Sequence, residues 1–226
     1  MRVPDQDRAP MTERLYLAAG MPRSGSTWLY NALRLALASR HPDLVAGWIG
    51  DAGRLPASST RLLKLHEFDP ELARRASFTV WSYRDPRDAL ASLERKFGKP
   101  PTLRQVDDML RWDEHWTRQA DYVMRYEDFV ADKRGQLARL LERLGLGEAG
   151  LAARIEHELE HASYDSQGPR NAHYHEVTLM HRGHVTDGRV GSWRGQLDRD
   201  LERAIVERHR PWLLARGYET DHLEQE

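Results

Sequence analysis

The residues best suited to chemistry form a short stretch rich in glycine and hydroxyl groups, Gly-Met-Pro-Arg-Ser-Gly-Ser-Thr-Trp at 20–28. It lies between an apolar run at 15–19 and a segment with helical apolar spacing from 29 onward, so a tight loop between a strand and a helix is predicted. Two glycines let the backbone close around an anion, and Ser24, Ser26 and Thr27 add hydroxyl donors beside the N-terminus of the helix. The stretch therefore predicts an anionic ligand.

Compared with the nucleotide triphosphate loop pattern G-x-x-x-x-G-K-[ST], the stretch keeps Gly20, Gly25 and Thr27 but has Ser26 in place of the lysine. Its cation is Arg23 instead. Pro-Arg-Ser-Gly-Ser-Thr-Trp resembles the 5'-phosphosulfate-binding loop of the sulfotransferase family, usually Pro-Lys-Ser-Gly-Thr-Thr-Trp, which holds 3'-phosphoadenosine 5'-phosphosulfate (PAPS). The resemblance implies these cofactor-binding residues: Arg23, Ser24, Gly25, Ser26, Thr27 and Trp28. The alternative is a Gly/Ser turn before an ordinary helix.

A second motif, Arg-Asp-Pro-Arg-Asp-Ala-Leu-Ala-Ser at 84–92, resembles the family's 3'-phosphate-binding segment. In that segment an arginine at a strand end and a serine eight residues later hold the nucleotide's 3'-phosphate, which implies this role for Arg84 and Ser92. A guanidinium can fork onto a phosphate, and a hydroxyl from the adjoining helix can support it. The alternative is a structural ion pair between Arg84 and Asp85.

The adenine end of the cofactor is implied by two aromatic positions. Tyr-Glu-Asp-Phe at 126–129 resembles the family's Tyr-Glu-Asp-Leu segment, whose tyrosine contributes to the adenine pocket, so the resemblance assigns Tyr126 to it. Trp28 matches the tryptophan that stacks on the adenine face. Aromatic planes suit base stacking, although both residues would equally serve as plain core.

Lys64-Leu65-His66 resembles the family's Lys-x-His, in which the histidine is the catalytic base. Alternation along a strand places Lys64 and His66 on one face. The resemblance therefore implies His66, Lys64 and Arg23 as catalytic residues. Two neighbouring carboxylates, Asp51 and Glu67, remain alternatives for the base.

The match near the C-terminal end is weaker. Gly-Arg-Val-Gly-Ser-Trp-Arg at 188–194 resembles the family's Arg-Lys-Gly-x-x-Gly-Asp-Trp-Lys loop, which closes over the nucleotide. Thr186 and Asp187 stand in place of its Arg-Lys pair, so Arg182 or Arg189 is expected to substitute, together with Gly191. Four histidines lie in the same region: His173, His175, His181 and His184. They allow a zinc site as an alternative, but without cysteine they are read as loop and rim residues and no metal is predicted.

Strand and helix patterns alternate along the chain. The predicted strands are 15–19, 44–49, 62–65, 78–83 and 122–126. The predicted helices are 27–39, 70–75, 86–97, 103–120, 132–144, 148–162 and 197–209. This alternation predicts an α/β fold, a parallel sheet flanked by helices with ligands at the strands' carboxyl ends. Residues 1–12 are expected to be a flexible tail, 13–226 a single domain with the P-loop-like sulfotransferase architecture, and 163–195 a mobile lid.

The composition limits the partners of the protein. Its 226 residues are 40% hydrophobic, and 34 basic residues nearly balance 35 acidic ones. No global positive field therefore points to nucleic acid or to an anionic membrane. The sequence has no cysteine, no apolar run long enough for a membrane span and no signal-like start, so a cytoplasmic location is expected.

Together, these resemblances imply a PAPS-dependent sulfotransferase that transfers a sulfuryl group in line to an acceptor hydroxyl or amine, leaving 3',5'-adenosine bisphosphate (PAP). The acceptor is expected to be a small molecule, a carbohydrate or a lipid, and the oligomeric state is open. Two rival functions remain. One is a phosphotransferase or nucleotide hydrolase with a degenerate loop, and the other is a non-catalytic adenine-nucleotide-binding protein.

Overall fold

A five-stranded parallel sheet lies at the centre of the protein. The computed structural model describes residues 13–218, so the predicted tail at 1–12 lies outside the described residues. The strands are β1 (Arg14–Gly20), β2 (Val45–Trp48), β3 (Thr60–Leu65), β4 (Phe78–Tyr83) and β5 (Tyr122–Arg125). Their order across the sheet is β2-β3-β1-β4-β5. The predicted α/β fold class is confirmed.

Helices flank this sheet. They are α1 (Ser26–Ala38), α2 (Pro70–Arg75), α3 (Pro86–Phe97), α4 (Leu103–Gln119), α5 (Tyr126–Ala131), α6 (Lys133–Arg143), α7 (Leu151–His161) and α8 (Arg199–Ala215), with a 3-10 helix at Ile49–Arg54. Within residues 13–218, none of the helices combines the length and apolar character that a membrane span requires.

Local capping signals begin and end several of the predicted helices. Asp69 accepts hydrogen bonds from the first turn of α2, and Asp85 does the same for α3, each followed by a proline at the first helical position. Gly98 ends α3 in the left-handed conformation. These caps explain why the sequence pattern located both helices to the residue.

Side-chain alternation along the strands divides the core into two clusters. Leu17 and Trp81 face a cluster that includes α3, α4 and α8. Ala18 and Val80 face the opposite cluster, built from α1, α6 and α7. Both faces of the sheet are therefore covered, as a parallel sheet requires.

Several predicted boundaries were wrong, and two of them matter for the site and the core. Tyr126 does not extend β5 but begins the short helix α5, which the sequence analysis missed. The last helix does not stop at residue 209: α8 continues to Ala215 across a break at His209, despite Pro211. Tertiary packing carries it on, because Leu213 is fully buried and Trp212 donates to Asp113 of α4.

The order in which the chain adds strands to the sheet reverses at β1: β2 and β3 lie on one side of this strand, and β4 and β5 lie on the other. This central strand lies between β3 and β4, so the segments that leave these three strands meet at one edge of the sheet. Ligands of α/β proteins bind at such an edge, outside the carboxyl ends of the strands. The predicted loop, the Lys-x-His motif and Arg84 all start there.

Candidate active site

The loop after β1 is held tightly against β4. The hydroxyl of fully buried Ser24 donates to the Met21 carbonyl at 2.7 Å and contacts the Ser82 hydroxyl at 2.7 Å. A Cβ at Gly20 would collide with Ser82 Oγ and with Ser26 Cβ, so only glycine fits here. Ser24 thus shapes the loop from beneath, and its hydroxyl does not line the cavity described below.

Arg23 projects from this loop across the site. Its backbone φ of 64° is unusual for a residue other than glycine. Its Nε donates to Ser92 Oγ at 2.9 Å, and its Nη2 donates to the His184 carbonyl at 2.9 Å. Burial and the charge of Arg84 lower its pKa. The predicted 5'-phosphosulfate and 3'-phosphate motifs therefore meet in one place.

The N-terminus of α1 is open toward the same space. Gly25, in the left-handed conformation at φ 76°, precedes the helix and supplies no side-chain cap. The first helical residues, Ser26 and Thr27, are buried and line the cavity. Such a terminus offers backbone N–H groups and a favourable dipole to an anion.

Arg84 leaves the end of β4 and is only 2% exposed. Its guanidinium lies 4.0 Å from the ring centre of Tyr126 and pairs with Asp88 at 3.4 Å. The proposed alternative pair with Asp85 does not form, because that carboxylate instead binds Arg87 at 2.8 Å. Within the described residues, Arg84 Nε is buried without a hydrogen-bond partner.

Lys64 and His66 leave β3 beside the loop. Lys64 is 5% exposed, and burial together with the charge of Arg23 lowers its pKa to about 8. His66 Nδ1 lies 2.5 Å from the Gly20 carbonyl. Because a carbonyl only accepts, the proton is assigned to Nδ1, which leaves the Nε2 lone pair available. Burial and Lys64 lower the pKa of His66 to about 3, so the ring is neutral at pH 7.

An aromatic wall forms the far end of the site. The rings of Trp28 and Phe129 lie 4.6 Å apart, and Tyr126 packs against Phe129 at 5.8 Å. Tyr126 also donates to the Gly188 carbonyl at 3.0 Å. Lys133 adds a positive charge 5.7 Å from the Phe129 ring. This end has the flat, partly charged surface that suits a base attached to phosphate.

The segment between α7 and α8 folds over the site and meets it mainly through backbone carbonyls. Besides the contacts of His184 and Gly188, the Arg189 carbonyl accepts from Arg84 Nη2 at 2.6 Å. Asp88 fixes the following turn, because it accepts from the backbone N–H groups of Gly191 at 2.7 Å and of Trp193 at 3.0 Å.

The predicted C-terminal cofactor residues thus stand apart from the cavity. The side chain of Arg182 is exposed and lies 4.9 Å from the Tyr164 ring, and that of Arg189 is exposed beside Asp187 at 3.5 Å. The N–H of Gly191 is already bound to Asp88. Their cofactor contacts stay a prediction from the motif alone.

These parts enclose a cavity of about 840 Å³. The predicted site residues that line it are Arg23, Gly25, Ser26, Thr27, Trp28, Lys64, His66, Arg84, Ser92 and Tyr126. Four cations line it, and Glu160 is the one carboxylate among the described lining residues. The cavity is therefore suited to an anionic ligand with a flat aromatic part.

The two alternative bases lie elsewhere. Glu67 is exposed, and Asp51 accepts a hydrogen bond from the Tyr174 hydroxyl and pairs with Arg54 at 3.6 Å. Neither lines the cavity. Over residues 13–218, no group of three or more histidine and acidic side chains is arranged to hold a metal ion.

Solved structures share this architecture. Mouse sulfotransferase SULT7A1, complexed with PAP, matches with a TM-score of 0.60 and 17% identity over 92% of this chain and 87% of its own. Retinol dehydratase matches in its complex with retinol and PAP, at TM-score 0.57 and 15% identity over 92% and 82%. Its complex with androsterone and the inactive cofactor PAP matches at 0.58 and 17% over 93% and 82%.

The chain has the sulfotransferase fold. The resemblance to the sulfotransferase family, which the sequence showed in scattered motifs, is confirmed at the level of the fold. No protein-family model matches the sequence, and comparison with curated protein sequences gave no match.

Several lining residues were not predicted as site residues, among them Phe129, His181 and His184. Phe129 carried a signal, because it ends the Tyr-Glu-Asp-Phe motif at the position of the family's leucine. The two histidines carried none, since they lie in a segment without periodicity. Only the fold of that segment over the sheet edge brings them to the cavity.

Proposed function

We propose that the protein is a PAPS-dependent sulfotransferase that moves a sulfuryl group to an acceptor hydroxyl. The observation that carries the proposal is the meeting of three motifs at one sheet edge. The loop with Arg23, the Lys64 and His66 pair and the Arg84 and Ser92 pair come from three different strands and line one cavity. The PAP bound to the similar solved structures supports the same cofactor class.

The residues present fit such a cofactor. Among the described residues, Arg84 Nε is a buried donor without a hydrogen-bond partner, and Arg84 and Ser92 line the same cavity, where they would hold a 3'-phosphate. A buried polar group of this kind is costly unless a ligand or water satisfies it. The cavity volume of about 840 Å³ also lies within the usual range for small-molecule and cofactor sites.

PAPS would supply the activated sulfuryl group. At its 5' end, the N–H groups of the α1 N-terminus, Arg23 and Lys64 would neutralise the charge that develops on the oxygens during in-line transfer. With arginine in the family's usual lysine position, residue 23 stabilises the leaving phosphate by charge but does not protonate it. Lys64, whose pKa is lowered to about 8, is the group nearby that can give up a proton.

His66 would accept the proton of the acceptor hydroxyl. The Gly20 carbonyl fixes the Nδ1–H tautomer, so Nε2 is the accepting atom. The low pKa keeps the ring neutral, and the negative charge of a bound cofactor would raise that pKa and strengthen the base.

Nucleotide titrations test this proposal. PAP is expected to bind about 10- to 100-fold more tightly than 5'-AMP in calorimetry, because Arg84 adds a charge-assisted bond to the 3'-phosphate. Arg84→Ala should erase the preference, whereas Arg118→Ala on the exposed face of α4 should keep it. Equal affinities for the two nucleotides, or tight binding of Mg-ATP instead, would contradict the proposal.

Sulfuryl transfer itself is tested by mass spectrometry. With PAPS supplied and a panel of phenols, sugars and lipid alcohols, at least one product should be heavier by one sulfuryl group. Nucleotide binding without any transfer across such a panel would favour a non-catalytic adenine-nucleotide-binding protein.

A further inference from the structure

The indole of Trp48 contacts two residues of the candidate active site. Trp48 is the last residue of β2 and pairs in register with Lys64 of β3. Residues paired across two parallel strands point to the same face of the sheet, so the indole and the lysine side chain are neighbours. Lys64 and His66 line the cavity, but Trp48 does not. The indole can therefore act on a ligand only through these two side chains.

Lys64 depends on this ring more than an ordinary lysine would. Its Nζ lies 5.4 Å from the centre of the Trp48 ring. Within residues 13–218, the buried ammonium group forms no ion pair with a carboxylate and no hydrogen bond. The charge of Arg23 repels it. A cation over an aromatic face is stabilised by the ring, and more strongly when water is excluded. The indole therefore supplies a favourable electrostatic contact to a cation that the surrounding residues otherwise disfavour.

The imidazole of His66 packs against the same indole. The two ring centres lie 5.3 Å apart at an interplanar angle of 54°. One hydrogen bond, to the Gly20 carbonyl, and this ring contact orient the imidazole. The 3-10 helix after β2 packs closely on the indole, because a Cβ at Gly50 would lie 2.8 Å from Trp48 Nε1. The indole thus has little room to move away from His66 and Lys64.

We infer that Trp48 is a positioning residue of the active site, which holds the Lys64 ammonium group and the His66 imidazole where they meet a ligand. The indole face favours the charged form of Lys64, and the ring contact limits the rotation of His66. The roles of the two held residues rest on the proposed function. The effect of Trp48 on Lys64 can be measured without a nucleotide or an acceptor.

The charged and titratable groups around Lys64 allow a clean titration. They are Arg23 in the loop after β1, His66 just after β3, and His181 and His184 in the segment between α7 and α8. Arg23 stays charged, and the pKa values of the three histidines are lowered from 6.5. Between pH 7 and pH 9, Lys64 is therefore the group of this set that changes its charge.

The first experiment measures the pKa of Lys64 by NMR. The sequence has four lysines, at 64, 96, 99 and 133, so labelling of lysine Cε with carbon-13 gives few signals, and Lys64→Arg identifies the one from residue 64. Trp48→Leu should lower its pH midpoint by about half a pH unit, because the ammonium form loses the aromatic face. Trp48→Phe keeps a weaker aromatic face, so its midpoint should lie between those of Trp48→Leu and the unaltered protein. It supplies the comparison if Trp48→Leu does not fold.

The second experiment measures PAP affinity by calorimetry. Trp48→Leu should match the unaltered protein within about 1.5-fold at pH 7 and bind about two- to fivefold more weakly at pH 9, where Lys64 must take up a proton to bind the anion. Trp112→Leu is the matched control, because it removes another partly buried tryptophan and should change neither affinity. With an acceptor found by mass spectrometry, Trp48→Leu should also lower kcat about three- to tenfold at pH 7, since His66 is less well oriented.

Each other outcome overturns the inference. An unchanged Lys64 midpoint in Trp48→Leu would show that the indole does not stabilise the ammonium group, and a midpoint in Trp48→Phe as low as in Trp48→Leu would indicate packing rather than the aromatic face. Equal losses of PAP affinity at both pH values, or the same losses in Trp112→Leu, would indicate a general disturbance of the fold. An unchanged kcat would remove the link to His66. Failure of the unaltered protein to bind PAP would instead count against the proposed function, and the NMR titration would still decide the role of Trp48.

Discussion

Lys64 is a buried cation whose pKa is affected by a second cation, Arg23. The residue is 5% exposed, and burial and the charge of Arg23 lower its pKa from 10.5 to about 8. At pH 7 it is mostly protonated and can bind an anion, but it loses its proton as the pH rises through 8. A bound bisphosphate raises that pKa again, so nucleotide binding above pH 8 must take up a proton.

We therefore expect PAP affinity to fall about tenfold between pH 7 and pH 9, the loss that follows from one linked proton. The nucleotide does not contribute, because its phosphates, with second pKa values of about 6, are already ionised at pH 7. Lys64→Arg keeps its charge at both pH values and should flatten the profile. Calorimetry at the two pH values is the measurement, and an unchanged affinity of the unaltered protein at pH 9 would count against a binding role for Lys64.

The base is tested by substitution at His66. His66→Ala should lower kcat by about 10²- to 10⁴-fold, the usual contribution of a general base, with little change in PAP affinity. Asp51→Ala and Glu67→Ala should cost much less, because neither carboxylate lines the cavity. Steady-state rates with an acceptor found by mass spectrometry give the comparison. Near-normal turnover of His66→Ala, with turnover lost in Asp51→Ala or Glu67→Ala, would reassign the base.

Residue types in the site were predictable, but several of their contacts were not. Arg23, Lys64 and Arg84 follow strand patterns, and strand ends converge in a parallel sheet, so a shared cationic edge could be deduced. The hydrogen bond from Arg23 Nε to Ser92 Oγ was not predictable, because it depends on the positive φ at Arg23 and on the position of Ser92 in helix α3. His181 reaches the site only through the path of an aperiodic segment.

At the scale of elements, prediction succeeded where the signal was local. Asp85, Pro86 and Gly98 mark the ends of α3 by their own conformations, so that helix was located correctly. Prediction failed where packing decides. Tyr126 reads as a strand residue by composition, yet it starts a helix that brings Phe129 to the cavity. Pro211 is a strong local stop signal, and the buried Leu213 overrides it.

The segment at 163–195 remains a predicted lid, and its contacts make the prediction specific. Backbone carbonyls of His184, Gly188 and Arg189 accept from Arg23, Tyr126 and Arg84, which are proposed nucleotide ligands. We expect hydrogen exchange of the segment to slow when PAP is added, because the nucleotide would add contacts between the segment and the sheet edge to the hydrogen bonds already present. Exchange in α4 serves as the control, because no residue of this helix lines the cavity. Unchanged protection with PAP saturating would contradict a lid role.

At the scale of the whole molecule, a single carboxylate connects the sheet to the last helix. Asp113 of α4 is fully buried and accepts from the indole N–H of Trp81 in β4 at 2.7 Å and from that of Trp212 in α8 at 2.9 Å. Arg216 donates to it at 2.6 Å, and Thr117 at 3.0 Å. Residues of α4 also pack in the core cluster on one face of the sheet, together with residues of β4 and α8, so this network helps to hold that face together.

Removing that carboxylate should therefore destabilise the whole fold. Asp113→Ala leaves two indole donors and the partly buried Arg216 without their acceptor, and breaking a buried ion pair on one side costs about 3–5 kcal/mol. Asp108→Ala is the matched control: it removes an acid from the same helix whose exposed pair with Arg111 should contribute about 1 kcal/mol or less. Urea unfolding at pH 7 measures both free energies of unfolding. A loss for Asp113→Ala no larger than that for Asp108→Ala would show that α8 is held by its apolar contacts around Leu213 alone, without help from the carboxylate.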